Sequence, residues 1–220
     1  NMSKPNTSSL DVEVIDELLN VVASVVGSLS NPTRLSNTFQ SVKGLKIKNE
    51  TISTYLDCFI DAYILSKSYR YDIKGRSYID TPLKYYFTDI GLRNVRLNFR
   101  QQEENHIMEN IIYNELIARG FNVDVGVVEY NYTDENGKKI RTQLEVDFVV
   151  NRTDKRYYIQ SALTVADEEK RQQEIHSLNR IDDSYTKIVV VRDNVLPWID
   201  EKGVRYINIE DFLLEKVNEL

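Results

Sequence analysis

Acidic side chains at positions that should be apolar are the first residues in this chain that call for a chemical role. On a helical wheel advanced by about 100° per residue from Ile107, residues Met108, Ile111, Ile112, Leu116 and Ala118 share one half-circle with it. Glu115 falls inside that arc, at about 80°, and Glu109 borders it, at about 200°. A carboxylate buried without a partner is costly, so each predicts either a counter-charge or chemistry. For Glu115 the plain reading is an ion pair with an Arg of the packed sheet. Further on, the run LEVDFVV alternates so that Glu145, Asp147 and Val149 are expected on one face, with Val146, Phe148 and Val150 on the other. The next run, RYYIQSAL, places Tyr158, Gln160 and Ala162 together. A helix acid, a strand acid and polar groups in the neighbouring strand form the arrangement that handles phosphodiesters with Mg²⁺. The carboxylates hold the ion while it activates water and steadies the leaving oxygen.

A second group of residues suits phosphate by charge alone. Arg70, Lys74 and Arg76 are expected to cluster at a hairpin tip, interleaved with Tyr69, Tyr71 and Tyr78. The tyrosines read as core and cross-strand pairs in preference to stacking platforms. On the helix before that hairpin, Asn49, Ser53 and Thr54 have the polarity to read base edges. Glu50, Asp57 and Asp61 on the same helix would face phosphate, which weakens the backbone contacts that dominate affinity. DNA contact and packing against another protein domain therefore stand level for this half. In ADEEKRQQE, the acids Asp167, Glu168 and Glu169 complement the positive end of a helix. Arg171 pairs with Glu174 three residues on, or turns toward Glu109 and Asp147 and neutralises them. Glu145 reads first as a solvated strand residue and second as a migrated carboxylate. Lys155, Arg156 and Arg171 are the candidates for a replacement cation.

The elements that must position these groups are legible in the periodicity. The chain has 220 residues, 41% of them hydrophobic and 28% charged, the composition of an ordinary globular protein. One cysteine, Cys58, excludes an internal disulfide, and with two histidines no zinc site of three or four Cys/His ligands can be assembled. A reducing, cytoplasmic setting is the expectation. No apolar stretch is long enough for a membrane span and no signal-peptide pattern opens the chain, so a soluble protein with no membrane partner is expected. Residues 1–100 carry 13 basic and 10 acidic side chains, whereas residues 101–220 carry 15 and 24, so two parts with different partners are expected.

Residues 1–9 are polar and read as a tag remnant or linker, since Asn1 precedes Met2. Helices are predicted over 11–26, 33–42 and 49–62, the second opened by Asn31-Pro32 and closed by Gly44. Strands at 63–71, 77–79 and 84–87 follow. Three helices and a hairpin predict a winged helix over 10–97. From residue 98 the order becomes a helix at 103–119, strands at 121–132, 139–150 and 156–165, a helix at 167–180, strands at 187–192 and 205–209, and a last helix to Leu220. The fold class is α+β, with an α/β unit of order αβββαβ over 98–220.

With Glu109, Asp147 and the triplet Tyr158-Ile159-Gln160 in place, this order resembles the PD-(D/E)XK, or restriction-endonuclease-like, fold. More closely, residues 11 to about 218 resemble the C-terminal region of bacterial and archaeal AAA-type ATPases, where a winged helix precedes a nuclease-like domain of unknown function. The stretches that carry the resemblance are TISTYLDCFIDAYIL, RYDIKGRSYI, KYYFTDIGLRN, MENIIYNELIARGFNVDVG, EVDFVV, YYIQSA, ADEEKRQQE and GVRYINIEDFLL. The resemblance implies an upstream ATPase domain as partner. No GxxxxGK[ST] loop occurs here, so ATP would bind only through that domain. It also implies that Glu109 and Asp147 are the metal-binding acids, if any metal, a weak Mg²⁺, is held. Tyr158 stands where a second strand acid belongs and Gln160 where the catalytic Lys belongs. A tyrosine with an ordinary pKa near ~10 is a poor hard-cation ligand. Gln160 can donate a hydrogen bond but brings no positive charge to the phosphate, a loss of about 10²- to 10³-fold in rate by analogy with deleting one preorganised donor. The expectation is a degenerate nuclease-like domain that binds nucleic acid or a partner. The alternatives are a Mg²⁺-dependent nuclease with an altered third motif, and a docking module of an NTPase that does not bind DNA.

Overall fold

The computed structural model describes residues 9–100 and 103–214. Among them are seven α-helices and one mixed sheet of eight strands. Spatial grouping divides the described chain into one unit of residues 9–67 and 84–100 and another of 68–83 and 103–214.

In the first unit, α1 (Ser9–Ser24), α2 (Pro32–Lys43) and α3 (Asn49–Asp61) bury Leu18, Val22, Leu35, Phe39, Ile52 and Leu56. The ends of α2 follow from local chemistry. The Asn31 side chain accepts from the Arg34 N–H at 2.8 Å, Pro32 fills the first turn, and Gly44 at φ 69° closes the helix through its N–H to Gln40 O. A short helix not expected from the sequence, α4 (Ile90–Arg96), is capped by the Asp89 side chain accepting from Leu92 N–H. It carries Arg93 fully buried, its Nε donating to the Ala23 carbonyl at 3.2 Å.

Strands β1 (Leu65–Asp72) and β2 (Ser77–Phe87) form the hairpin. The two separate strands expected at 77–79 and 84–87 are one continuous strand, and Tyr63, expected to open the first strand, lies before it at φ 57°. The hairpin, expected to belong wholly to a domain ending at 97, is divided: its tip, residues 68–83, groups with the second unit. There β1 runs parallel to β3 (Asn122–Thr133), with Arg70, Tyr71 and Asp72 opposite Val125, Gly126 and Val127.

The second unit continues with α5 (Glu104–Ala118), β3, β4 (Lys139–Arg152), β5 (Lys155–Ala162), α6 (Glu168–Glu174), β6 (Thr186–Val191), β7 (Trp198–Ile199), β8 (Val204–Asn208) and α7 (Ile209–Leu214). The sheet order is β2-β1-β3-β4-β5-β6-β8-β7, antiparallel through β3, β4 and β5 and parallel through β5, β6 and β8. The helix expected over 167–180 stops early, because the His176 N–H bonds back only three residues to Gln173 O, and a 3₁₀ turn, Leu178–Arg180, follows. Residues 215–220 of the expected last helix lie outside the described residues.

Helix α5 packs against β3, β4 and β5, with Tyr113 against Phe148. A core of Val146, Val149, Tyr158, Val189, Val191 and Tyr206 is closed by Ile175 and Leu178. Val146 and Val149 share that core because β4 carries a bulge: Gly126 pairs with Val146 and Asp124 with Val149, leaving Asp147 and Phe148 together opposite Val125. The expected strict alternation, which grouped Val149 with Glu145 and Asp147, is therefore corrected at this point.

Candidate functional site

The β4–β5 ladder ends where the bulge begins. Phe148 pairs with Ile159, and beyond that point side chains replace ladder bonds. The Asp147 carboxylate accepts from the Ser161 N–H at 2.8 Å, and the Gln160 amide oxygen accepts from the Asp147 N–H at 3.3 Å. A cavity of about 440 Å³ is lined by residues of this point. Glu109 from α5, Asp147 from β4 and Gln160 from β5 all line it, together with Ser161, Lys170 and Glu174. Glu109 is 7% exposed and Asp147 8%, so both acids sit in the buried class that demanded an explanation from the sequence. Burial also pushes the Glu174 carboxyl above its ordinary value.

Helix α6 delivers Lys170 and Glu174, which are four apart and so project from neighbouring positions of one face. Neither was singled out as a site residue. Their spacing in EEKRQQE was visible, but nothing in the sequence said which face of that helix would meet the acids. Arg171 was expected to pair with Glu174 or turn to the acids. It pairs instead with Glu168 on its own helix and lies over the Trp198 ring, 5.3 Å from its centroid, because its position on α6 faces β7.

The other expected members of the site lie elsewhere. Tyr158 is fully buried in the core, its hydroxyl donating to Asp183 at 2.5 Å. Burial and then that carboxylate push its phenol far above the ordinary value. Its side chain therefore does not line the Asp147 cavity, and it cannot stand in for a strand carboxylate. Glu145 is half-buried opposite Val127 and is absent from the cavity lining. Glu115 pairs at 2.7 Å with Arg119 one turn along its own helix, not with an Arg of the sheet, and Arg119 reaches on to the Phe212 carbonyl.

Mg²⁺ takes oxygen donors in near-octahedral geometry. Among the described residues no group of three or more His, Cys, Asp and Glu is placed to hold a metal ion, and one oxygen of Asp147 already accepts a backbone N–H. Glu109 and Asp147 bring two carboxylates to this cavity, one oxygen of Asp147 being engaged by the Ser161 N–H.

At the hairpin tip, Asp72 accepts from the N–H groups of Lys74 at 3.0 Å and Gly75 at 2.9 Å, which shapes the turn. A Cβ on Gly75 would stand 2.5 Å from the Asp72 carboxylate, so any side chain there would have to displace the group that shapes the turn. Lys74 and Arg76 are exposed. Arg70, expected beside them, lies within β1 and donates to the Gln143 side chain at 3.0 Å. Of the expected base readers on α3, Asn49 donates to Thr33 Oγ at 2.9 Å, Thr54 bonds back to the Glu50 carbonyl and Ser53 is half-buried.

Residues 6–103 match a family described as a Domain of unknown function (DUF8612). A Haemophilus influenzae relative bearing the description "Uncharacterized protein" is 30% identical over 205 residues, 93% of this chain and 47% of its own length. "Uncharacterized protein MJ1544" of Methanocaldococcus jannaschii is 30% identical over 113 residues, 50% of this chain and 24% of its own. The chain thus spans about half the length of the first relative and about a quarter of the second. The crystal structure of protein VC1899 from Vibrio cholerae aligns at a TM-score of 0.31 and 11% identity, covering 97% of this chain and 55% of that one. No described helix is long and apolar enough to cross a membrane.

Proposed function

We propose that this chain is the non-ATPase part of an AAA-type ATPase: a winged helix followed by a restriction-endonuclease-like domain that binds nucleic acid without hydrolysing it. One observation supports the reading above the others. Glu109 and Asp147 line one cavity, and the β5 side chain beside them is Gln160, which has neither the carboxylate nor the ammonium that the nuclease motif carries at that strand. The Haemophilus relative has about as much chain again beyond the match, room in which an ATPase portion of that relative would fit. A second reading, a working nuclease, is favoured by Lys170 and Glu174 in the same cavity, since a cation and a further acid have entered from α6. A third, a docking module that meets only protein, is favoured by the acids along α3.

Titrating labelled DNA with the chain at several salt concentrations tests the binding reading. Affinity is expected to fall steeply with salt, and Arg76→Ala is expected to weaken it and flatten the slope by about one unit. Absence of any salt-dependent binding would leave the docking module as the account.

A further inference from the structure

A second cavity, of about 500 Å³, is lined by groups that none of the readings above uses in combination. Its walls are asymmetric. On one side the hairpin tip contributes Lys74 and Arg76, both exposed. On the other, the segment after the 3₁₀ turn contributes Asp182, Asp183 and Tyr185. Between them Arg156 lies 5.2 Å from the Tyr71 ring centroid and 5.4 Å from that of Tyr185, and its Nε is held by the Asn151 side chain at 2.7 Å.

The two acids differ in what they offer. Asp183 is engaged, accepting from the buried Tyr158 hydroxyl at 2.5 Å and from the Tyr185 N–H at 3.2 Å. Asp182 is exposed and presents a carboxylate that only accepts hydrogen bonds. Tyr185 is 45% exposed, and its ring is bordered by Arg156 and by Tyr158, whose ring centroid lies 6.3 Å away. A bare anion would meet the Asp182 carboxylate across from the cations. A ligand with a negative group at one end, a planar ring in the middle and an amine donor on that ring satisfies all three walls.

We propose that this cavity takes one unstacked nucleotide of a single strand, its phosphate on Lys74 and Arg76, its base against Tyr185, and its exocyclic amine toward Asp182. The inference rests on the nucleic-acid reading of the hairpin tip and deepens it. A paired base in a duplex is stacked and cannot enter, so the site selects single strands.

The test is fluorescence anisotropy with a labelled oligodeoxycytidylate, set against a duplex of the same length, using the full chain. The single strand is expected to bind more tightly than the duplex. Tyr185→Ala is expected to weaken it roughly tenfold with an unchanged salt slope, as loss of one base–aromatic stack does. Tyr185→Phe is expected to keep the affinity. If circular dichroism shows Tyr185→Ala unfolded, Tyr185→Leu replaces it, keeping apolar bulk without the ring. A duplex bound as tightly as the single strand overturns the proposal. So does an affinity that Arg76→Ala lowers but Tyr185→Ala, or Tyr185→Leu in its place, leaves unchanged, an outcome that spares the nucleic-acid reading itself. A wild-type chain that binds neither oligonucleotide removes both.

Discussion

One tyrosine–carboxylate pair and one lysine–carboxylate pair decide how individual residues behave. The Tyr158 hydroxyl is buried and spent on Asp183, so Tyr158→Phe removes a buried donor and leaves that carboxylate short of a partner. A loss of about 1–2 kcal/mol in urea denaturation is expected, with nucleic-acid affinity unchanged. Had the phenol been part of the Asp147 site, activity or binding would move instead. In the first unit, Lys43 at 2.7 Å, then Asn20, hold the Glu17 carboxyl below its ordinary value of 4.5. A depressed pKa gives stability that is complete above the unfolded value and is lost as pH falls through the folded one. Glu17→Gln is thus expected to cost less than about 1 kcal/mol at neutral pH, since the pair is partly exposed. The gap from wild type should close in melts run progressively below pH 4.5. An undiminished gap in acid would show that packing, not charge, is what the substitution removes.

At the level of elements, the β4 bulge is what brings Asp147 to the cavity and sends Val146 and Val149 to the core, and Gly126 on β3 faces both valines. A Cβ there would stand 2.8 Å from Val146 Cβ and 2.8 Å from Val149 Cγ2. Gly126→Ala is expected to destabilise by about 1–3 kcal/mol through overpacking, read as a lower urea midpoint at unchanged slope. Much at this scale was written in local sequence. Asn31-Pro32 and Gly44 marked the bounds of α2, and the β3–β4 turn carries an Asn136-Gly137 pair, where Gly137 takes φ 78° and Asp134 accepts from the Asn136 and Lys138 N–H groups. What stayed hidden was non-local. Alternation cannot reveal a bulge that depends on the partner strand. The parallel pairing of β1 with β3, supported by Ser68 Oγ donating to the Val123 carbonyl 55 residues away, leaves no periodic trace in either run. The candidate site was half legible for the same reason. Glu109 and Asp147 stood out as acids against an apolar pattern, and Gln160 by its place in a strand. Lys170 and Glu174 became visible only once α6 was laid beside that strand.

For the whole molecule, charge separates the halves: residues 1–100 are net basic and residues 101–220 net acidic. The exposed cations Lys74 and Arg76 lie on the hairpin tip, while the Asp147 cavity is lined by Glu109, Asp147, Glu174 and three amides, with Lys170 as its cation. A phosphate backbone is attracted more to the former than to the latter, which accords with the proposed scaffold that retains a strand without cutting it. The most direct test is an incubation of the purified chain with single- and double-stranded DNA in Mg²⁺ or Mn²⁺, beside Asp147→Ala. The account predicts no cleavage above that of the variant, with binding intact in both; metal-dependent cleavage that Asp147→Ala abolishes would contradict it and establish the second reading, with Lys170 as the first residue to test for the missing cation.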